Sequence, residues 1–124
     1  MTKGILWGVL ITPINVERRY PCGEPHHITL QYGVEKSRWA KFLGKEFEAH
    51  AILEAWNSRI QAVVIQLPDF IPCSNTNPHI SVSWEQGIKP VESNAMLAGK
   101  HDCKKISKKL KFKIEFLKWL QPIP

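Results

Sequence analysis

The chain has 124 residues, 44% hydrophobic and 23% charged, which suits one globular domain and excludes a disordered, collagen-like or coiled-coil chain. Its formal net charge of +6 is carried by residues 100–118, where eight lysines stand against Asp102 and Glu115. That basic end suits either an anionic partner or a solvated face. Three scattered cysteines, Cys22, Cys73 and Cys103, form no Cys-x-x-Cys pair, which excludes a redox motif or zinc ribbon and suits a reducing compartment.

The first apolar run, Ile5 to Ile11, is far shorter than the roughly 20 residues that span a bilayer, and it lacks a small-residue cleavage site. It reads as a buried strand over Gly4 to Ile11. The expectation is a cytoplasmic protein, one compact domain over residues 1–124, with no membrane contact and no obligate protein partner. Thr12 to Pro25 holds three prolines and is predicted as a long loop. His26 to Tyr32 is a second strand. Glu35 to Leu43 is a short helix with Trp39, Phe42 and Leu43 on one side. From Phe47 to Ala55 apolar residues recur at every second position, the period of a half-buried strand. Asn57-Ser58 turns the chain into another strand, Ile60 to Leu67. A loop rich in Pro, Ser and Asn follows, then a strand from His79 to Trp84 and one or two helical turns from Glu92 to Ala98. Lys109 to Phe116 alternates strictly and reads as a strand with Lys109, Lys111 and Lys113 on one face, in a position to track an RNA backbone. The class is α+β. Connections too short for crossovers favour antiparallel pairing.

Two segments match: His27-Ile28-Thr29-Leu30 and His79-Ile80-Ser81-Val82. Each reads His, apolar, hydroxyl, apolar. Side chains two apart on a strand share a face. His27 and Thr29 therefore stand together, opposite Ile28, Leu30 and Tyr32. His79, Ser81 and Ser83 stand together, opposite Ile80, Val82 and Trp84. One such match arises easily by chance among five histidines, but two with the same apolar flanks do not. Paired imidazoles suit phosphodiester chemistry. One takes a proton from the attacking oxygen and the other gives one to the leaving oxygen, both near neutral pH. The hydroxyls can donate to non-bridging oxygens as charge builds there. This layout requires no metal and no cofactor.

These tetrads resemble the motifs of the 2H phosphoesterases, a family named for two His-x-Thr/Ser motifs. The stretches Asn77 to Trp84 and Gly87 to Asn94 are most similar to the cyclic phosphodiesterase-type domains of RNA repair enzymes, including the terminal domain of some tRNA ligases. The resemblance implies a bilobal fold in which each lobe gives one motif strand to a central cleft. It further implies metal-independent hydrolysis of 2′,3′-cyclic phosphates, or of related 2′–5′ or 3′–5′ phosphodiesters, on RNA or a cyclic nucleotide. It carries catalytic roles onto His27, Thr29, His79 and Ser81. The interval between the histidines is shorter than is typical of the family, which implies trimmed helices. Which histidine is base and which acid is left open. A non-catalytic RNA-binding module on the same fold is the alternative.

The remaining candidates have plainer readings. His26 faces away from His27 and reads as structural or edge-exposed. His50 stands among glutamates on a polar strand face, and His101 stands in the basic end. Tyr32 and Trp84 read as core residues closing the motif strands. Lys89 reads as a solvated loop lysine within conceivable reach of a phosphate. A zinc site from His26, His27 and His79 is discounted, because neighbouring strand residues face opposite ways and no Cys or carboxylate is near in sequence.

Overall fold

The structure, a computed structural model, describes residues 3–23 and 26–118. Glu24 and Pro25, the end of the predicted loop, lie outside the described residues. Six strands run in chain order: β1 (Lys3–Leu10), β2 (His27–Glu35), β3 (Glu46–Trp56), β4 (Ile60–Gln66), β5 (His79–Trp84) and β6 (Asp102–Lys118). A 3₁₀ helix, Lys36–Phe42, joins β2 to β3, and a single α-helix, α1 (Glu92–Ala98), joins β5 to β6. Every neighbouring pair is antiparallel, and the order β1-β2-β5-β4-β3-β6 closes on itself as a barrel. The expected α+β class, mostly antiparallel with two short helices, matches. Separate lobes are not delineated, because hydrogen bonding joins all six strands. The seam between β2 and β5 is thin, however, with Ile28 opposite Ile80 as its one registered pair.

The alternation in the sequence sends one face of each strand inward. Leu6, Ile28, Leu30, Ile80, Val82, Leu110, Phe112 and Ile114 fill the barrel with Phe47 and Val63. Phe47 stacks on Phe112 at 5.2 Å between ring centroids. Small residues opposite make room for the two rings. A Cβ on Gly8 would stand 3.2 Å from the Phe47 ring, and Ala49 and Ala51 occupy inward positions on β3. Long β6 pairs with β3 over most of its length, so the strand predicted for residues 109–116 extends well beyond both ends. Its odd-numbered lysines point outward as expected, but β3 sets Glu46 and Glu48 beside them. Lys111 Nζ lies 3.3 Å from Glu46, and Lys109 Nζ lies 3.9 Å from Glu48.

Bulges in β2 and β5 change which residues share a face. On β2, Leu6 pairs with Gln31 while Trp7 pairs with Thr29, and Gly4 pairs with Val34 while Ile5 pairs with Tyr32. Each step inserts an extra residue in β2, the second being Gly33 at φ +68°. The first extra residue turns Tyr32 to the outer face beside Ile5, where it is 69% exposed. The core position expected for Tyr32 is therefore wrong, whereas Trp84 does pack against the Ala55, Ile60, Ala62 and Met96 cluster. On β5, Gln61 pairs with Ser83 and Ala62 with Ser81, so the phase shifts at Val82. Ser83 turns inward, away from His79 and Ser81, and is fully buried. There it donates to Gln61 Oε1 at 2.5 Å and accepts from the Tyr20 backbone N–H.

That end of the barrel is closed by the loop after β1. Gln61 donates to the Glu17 carbonyl and to Glu54, and Arg19 donates to Glu54 at 2.7 Å. The Arg19 guanidinium lies 3.6 Å from the Trp56 ring centroid. Tyr20 hydroxyl donates to the Asn57 carbonyl. The loop also adds a bridge between Cys22 and Trp84. Gly23 is required there, since a Cβ would meet the Val82 carbonyl oxygen at 2.4 Å. Among the described residues no helix is long and apolar enough to cross a membrane.

Candidate active site

The seam fixes the relation between the two tetrads. Antiparallel pairing centred on Ile28 and Ile80 sets His27 across from Ser81 and Thr29 across from His79. Ile28 and Ile80 are fully buried. The four polar residues therefore face outward, related by a local twofold through the Ile28–Ile80 pair. All four line one cleft of about 470 Å³. Its walls come from elsewhere in the chain. Ile5 and Tyr32 form one side, Ser74 and Asn75 another, and Pro90, Val91 and Asn94 a third.

The wall at Ser74 is built on the first bulge of β2. The Leu30 carbonyl accepts from the Ser74 backbone N–H at 3.0 Å. Cys73 Sγ lies 3.8 Å from the Thr29 carbonyl oxygen. Burial pushes the Cys73 thiol above its ordinary pKa, opposed by a hydrogen bond to the Asn75 backbone, so at neutral pH it is a packing group rather than a thiolate nucleophile. Across the cleft, Asn75 and Asn94 approach each other at 3.5 Å.

His79 is nearly buried, 9% exposed. Its Nδ1 lies 2.7 Å from the Asn77 carbonyl oxygen. A carbonyl only accepts, so Nδ1 carries the hydrogen, and Nε2 of the neutral ring is left as an acceptor. Burial holds this imidazole below its ordinary pKa, opposed by the Asn77 bond. Both the burial and the Nδ1 bond leave Nε2 of the uncharged His79 ring free to accept a proton. His27 is half-buried, with its ring 4.5 Å from that of Trp7 between centroids. Trp7 pairs with Thr29 on the outer face of β1, so the tryptophan flanks the first tetrad.

Ser81 is held by two partners. Its hydroxyl donates to the Pro90 carbonyl at 2.9 Å, and its oxygen lies 2.8 Å from Ser93 Oγ. Since the Ser81 hydrogen is on Pro90, Ser93 is the donor of the second bond. Ser93 is fully buried on α1, and its backbone N–H also donates to the Pro90 carbonyl. That carbonyl therefore keeps a partner when the Ser81 hydrogen turns into the cleft.

The sequence reading brought the four tetrad residues to one cleft and missed Trp7, Asn75, Ser93 and Asn94. Trp7 sits in the apolar run Ile5 to Ile11, which reads as a buried strand and gives it no outward face. The other three lie in loops or a short helix, whose placement periodicity does not give. His26 acts structurally, with Nε2 donating to the Val82 carbonyl at 3.0 Å. His50 is exposed on the polar face of β3, and His101 Nδ1 lies 3.0 Å from the Met96 carbonyl oxygen. Lys89 is exposed in the loop before α1 and is not part of the cleft lining. Among the described residues no three His, Cys, Asp or Glu side chains converge to hold a metal ion.

A twofold pair of imidazoles with adjoining hydroxyls in one cleft can supply a base, an acid and two hydrogen-bond donors to one phosphodiester. The family model for the fungal tRNA ligase phosphodiesterase domain matches residues 26–118, a span that starts just before the first tetrad and ends with β6. The chain belongs to this family, a cyclic phosphodiesterase domain of the 2H phosphoesterase type. Neither the curated proteins nor the solved structures contain a significant match.

Proposed function

We propose that the protein hydrolyses 2′,3′-cyclic phosphate ends of RNA by general acid–base catalysis between His79 and His27, without a metal. The observation that carries this is the convergence of both tetrads on one cleft across the Ile28–Ile80 pair. His79 takes the base role because it is kept neutral by burial and its Nε2 is left as the acceptor. A water oxygen attacks phosphorus as His79 Nε2 takes its proton. The bond from phosphorus to one ribose oxygen breaks, and His27 gives that oxygen a proton. A second proton exchange with solvent restores both rings. Thr29 and Ser81 donate to the non-bridging oxygens, whose charge grows in the transition state. The Ser81 hydrogen reaches the phosphate by rotating off the Pro90 carbonyl.

The thin seam supports the two-lobed reading in a reduced form. β1 with β2 and β4 with β5 each supply one motif strand, and the cleft lies where the two halves barely pair. The exposed Tyr32 with Ile5, Pro90 and Val91 gives the cleft an apolar wall that suits a nucleoside face. Both tetrads are intact and convergent, which favours chemistry over a purely RNA-binding role. RNA repair in a reducing cytoplasm is the setting that fits, and Cys22, Cys73 and Cys103 are all free thiols. The test is turnover of a 2′,3′-cyclic nucleotide in the presence of EDTA, with the His27→Ala/His79→Ala variant as control. Absence of turnover, or turnover that EDTA abolishes and zinc restores, overturns the proposal.

A further inference from the structure

The lysines of β6 fall into two sets with different surroundings. The odd-numbered Lys109 and Lys111 point outward and lie beside Glu48 and Glu46. Even-numbered residues face inward. Leu110, Phe112 and Ile114 fill the core, but toward the start of the strand the same face carries Lys104, Ile106 and Lys108. Lys104 pairs with Glu54 in register and Lys108 with Ala51, both inward positions of β3. The two lysines therefore border the barrel mouth that the loop after β1 covers.

This mouth encloses about 750 Å³, lined mostly by polar groups with Val16 and Ile106 among them. Four cationic side chains, Arg18, Arg19, Lys104 and Lys108, stand against Glu17 and Glu54. Arg19 and Glu54 satisfy each other at 2.7 Å. That leaves three cations against one exposed carboxylate. Among the described residues neither Lys104 nor Lys108 has a carboxylate within ion-pair distance. Arg18 is oriented by donating to the Pro21 and Gly23 carbonyls, and a guanidinium has further N–H groups to offer. A concave surface of one sign concentrates anions. On a strand, Lys104 and Lys108 are about 13 Å apart. That span is about two phosphate-to-phosphate steps of an extended chain, so the two lysines reach different phosphates.

We propose that this mouth binds the sugar–phosphate backbone of the RNA whose end enters the cleft, with Lys104 and Lys108 on separate phosphates. The inference rests on the phosphodiesterase reading for the direction of the chain, and β5 links the two places. Ser81 faces the cleft, and Ser83, two residues on, faces the network at the floor of the mouth. In the barrel order β4 and β3 lie between β5 and β6, three strand spacings or roughly 14 Å, a distance that an extended RNA chain covers in a few nucleotides.

The test is binding of a single-stranded RNA octamer with a 3′-phosphate, followed by fluorescence anisotropy over a range of salt. Wild type is compared with Lys104→Gln/Lys108→Gln, with Lys104→Glu/Lys108→Glu, and with the outward control Lys109→Gln/Lys111→Gln. The glutamine pair keeps the inference testable if charge reversal harms folding. Both mouth variants should bind the RNA more weakly, with the log–log salt slope lowered by about 1.4, two phosphate contacts at about 0.7 each. The outward pair should bind like wild type. Turnover of a cyclic mononucleotide should be unchanged in all of them. An unchanged slope in the glutamine pair, or an equal fall in the outward pair, overturns the inference. Tripolyphosphate bound as tightly as the RNA also overturns it, in favour of a small-anion site. RNA binding that depends on Lys104 and Lys108 without turnover would refute the catalytic reading alone.

Discussion

Ser93→Ala separates the hydrogen bond that holds Ser81 from the packing of α1. Ser93 is fully buried and donates to Ser81 Oγ at 2.8 Å. Removing the hydroxyl deletes one neutral hydrogen bond, worth about 0.5–1.5 kcal/mol. Its backbone bond to Pro90 stays, and so does the Ser81 bond to the same carbonyl. No buried carbonyl is left without a partner, so the loss of stability should be about 1 kcal/mol. If that bond is fully expressed in the transition state, by orienting and polarising Ser81, kcat should fall about fivefold. The assay is a double-mutant cycle on a 2′,3′-cyclic nucleotide, with thermal melts of every variant. In a Ser81→Ala background, Ser93→Ala should change kcat less than about twofold, because its effect passes through a group no longer present. Ser93→Cys, which keeps the volume with a weak donor, should resemble the alanine variant. The same fold loss with and without Ser81 would refute the reasoning and leave Ser93 as a packing residue.

His27→Ala and His79→Ala should each lower kcat about 10²–10⁴-fold, and the double variant should lose less than the product of the two; near-native turnover in either single variant removes that residue from the mechanism. Because burial depresses the pKa of His79, the acid limb of kcat/KM should have its midpoint below about 6.5, the ordinary histidine value. The same depression means that the unfolded chain takes up a proton through that pH while the folded chain resists. The contribution to stability is therefore absent above about pH 6.5 and destabilising below it, which urea titrations of wild type and His79→Gln at pH 7.5 and 5.5 will show as a smaller acid loss in the variant. Trp39 Nε1 is buried with no hydrogen-bond partner among the described residues. Trp39→Phe removes that donor and its desolvation penalty of about 1–3 kcal/mol, so stability should hold or rise, and a drop beyond about 1 kcal/mol by urea unfolding would show that ring volume dominates.

The local pattern of the chain carries most of its elements. Period-two alternation marks β3 and the second half of β6, and prolines bound the loops after β1 and β4. Proline before Glu92 and glycine after Ala98 bracket the short helix. The two tetrads are equally local: three or four residues on a strand define which groups share a face, so the imidazole–hydroxyl pairs were legible without a partner strand.

What periodicity does not contain is phase across a bulge, and there the tertiary structure decided. Tyr32 and Ser83 each lie beyond a point where two residues of one strand oppose one of its neighbour. One extra residue reverses every later side chain, and only the partner strand determines where it falls. Closure of the barrel, the thin β2–β5 seam, the delivery of Asn75 and Asn94 to the cleft and that of Ser93 to Ser81 depend on contacts that the local pattern of the chain does not contain. So does the fate of the lysines. Alternation alone sorts them into two faces, but only the neighbouring β3 gives one face glutamates and the other an open barrel mouth.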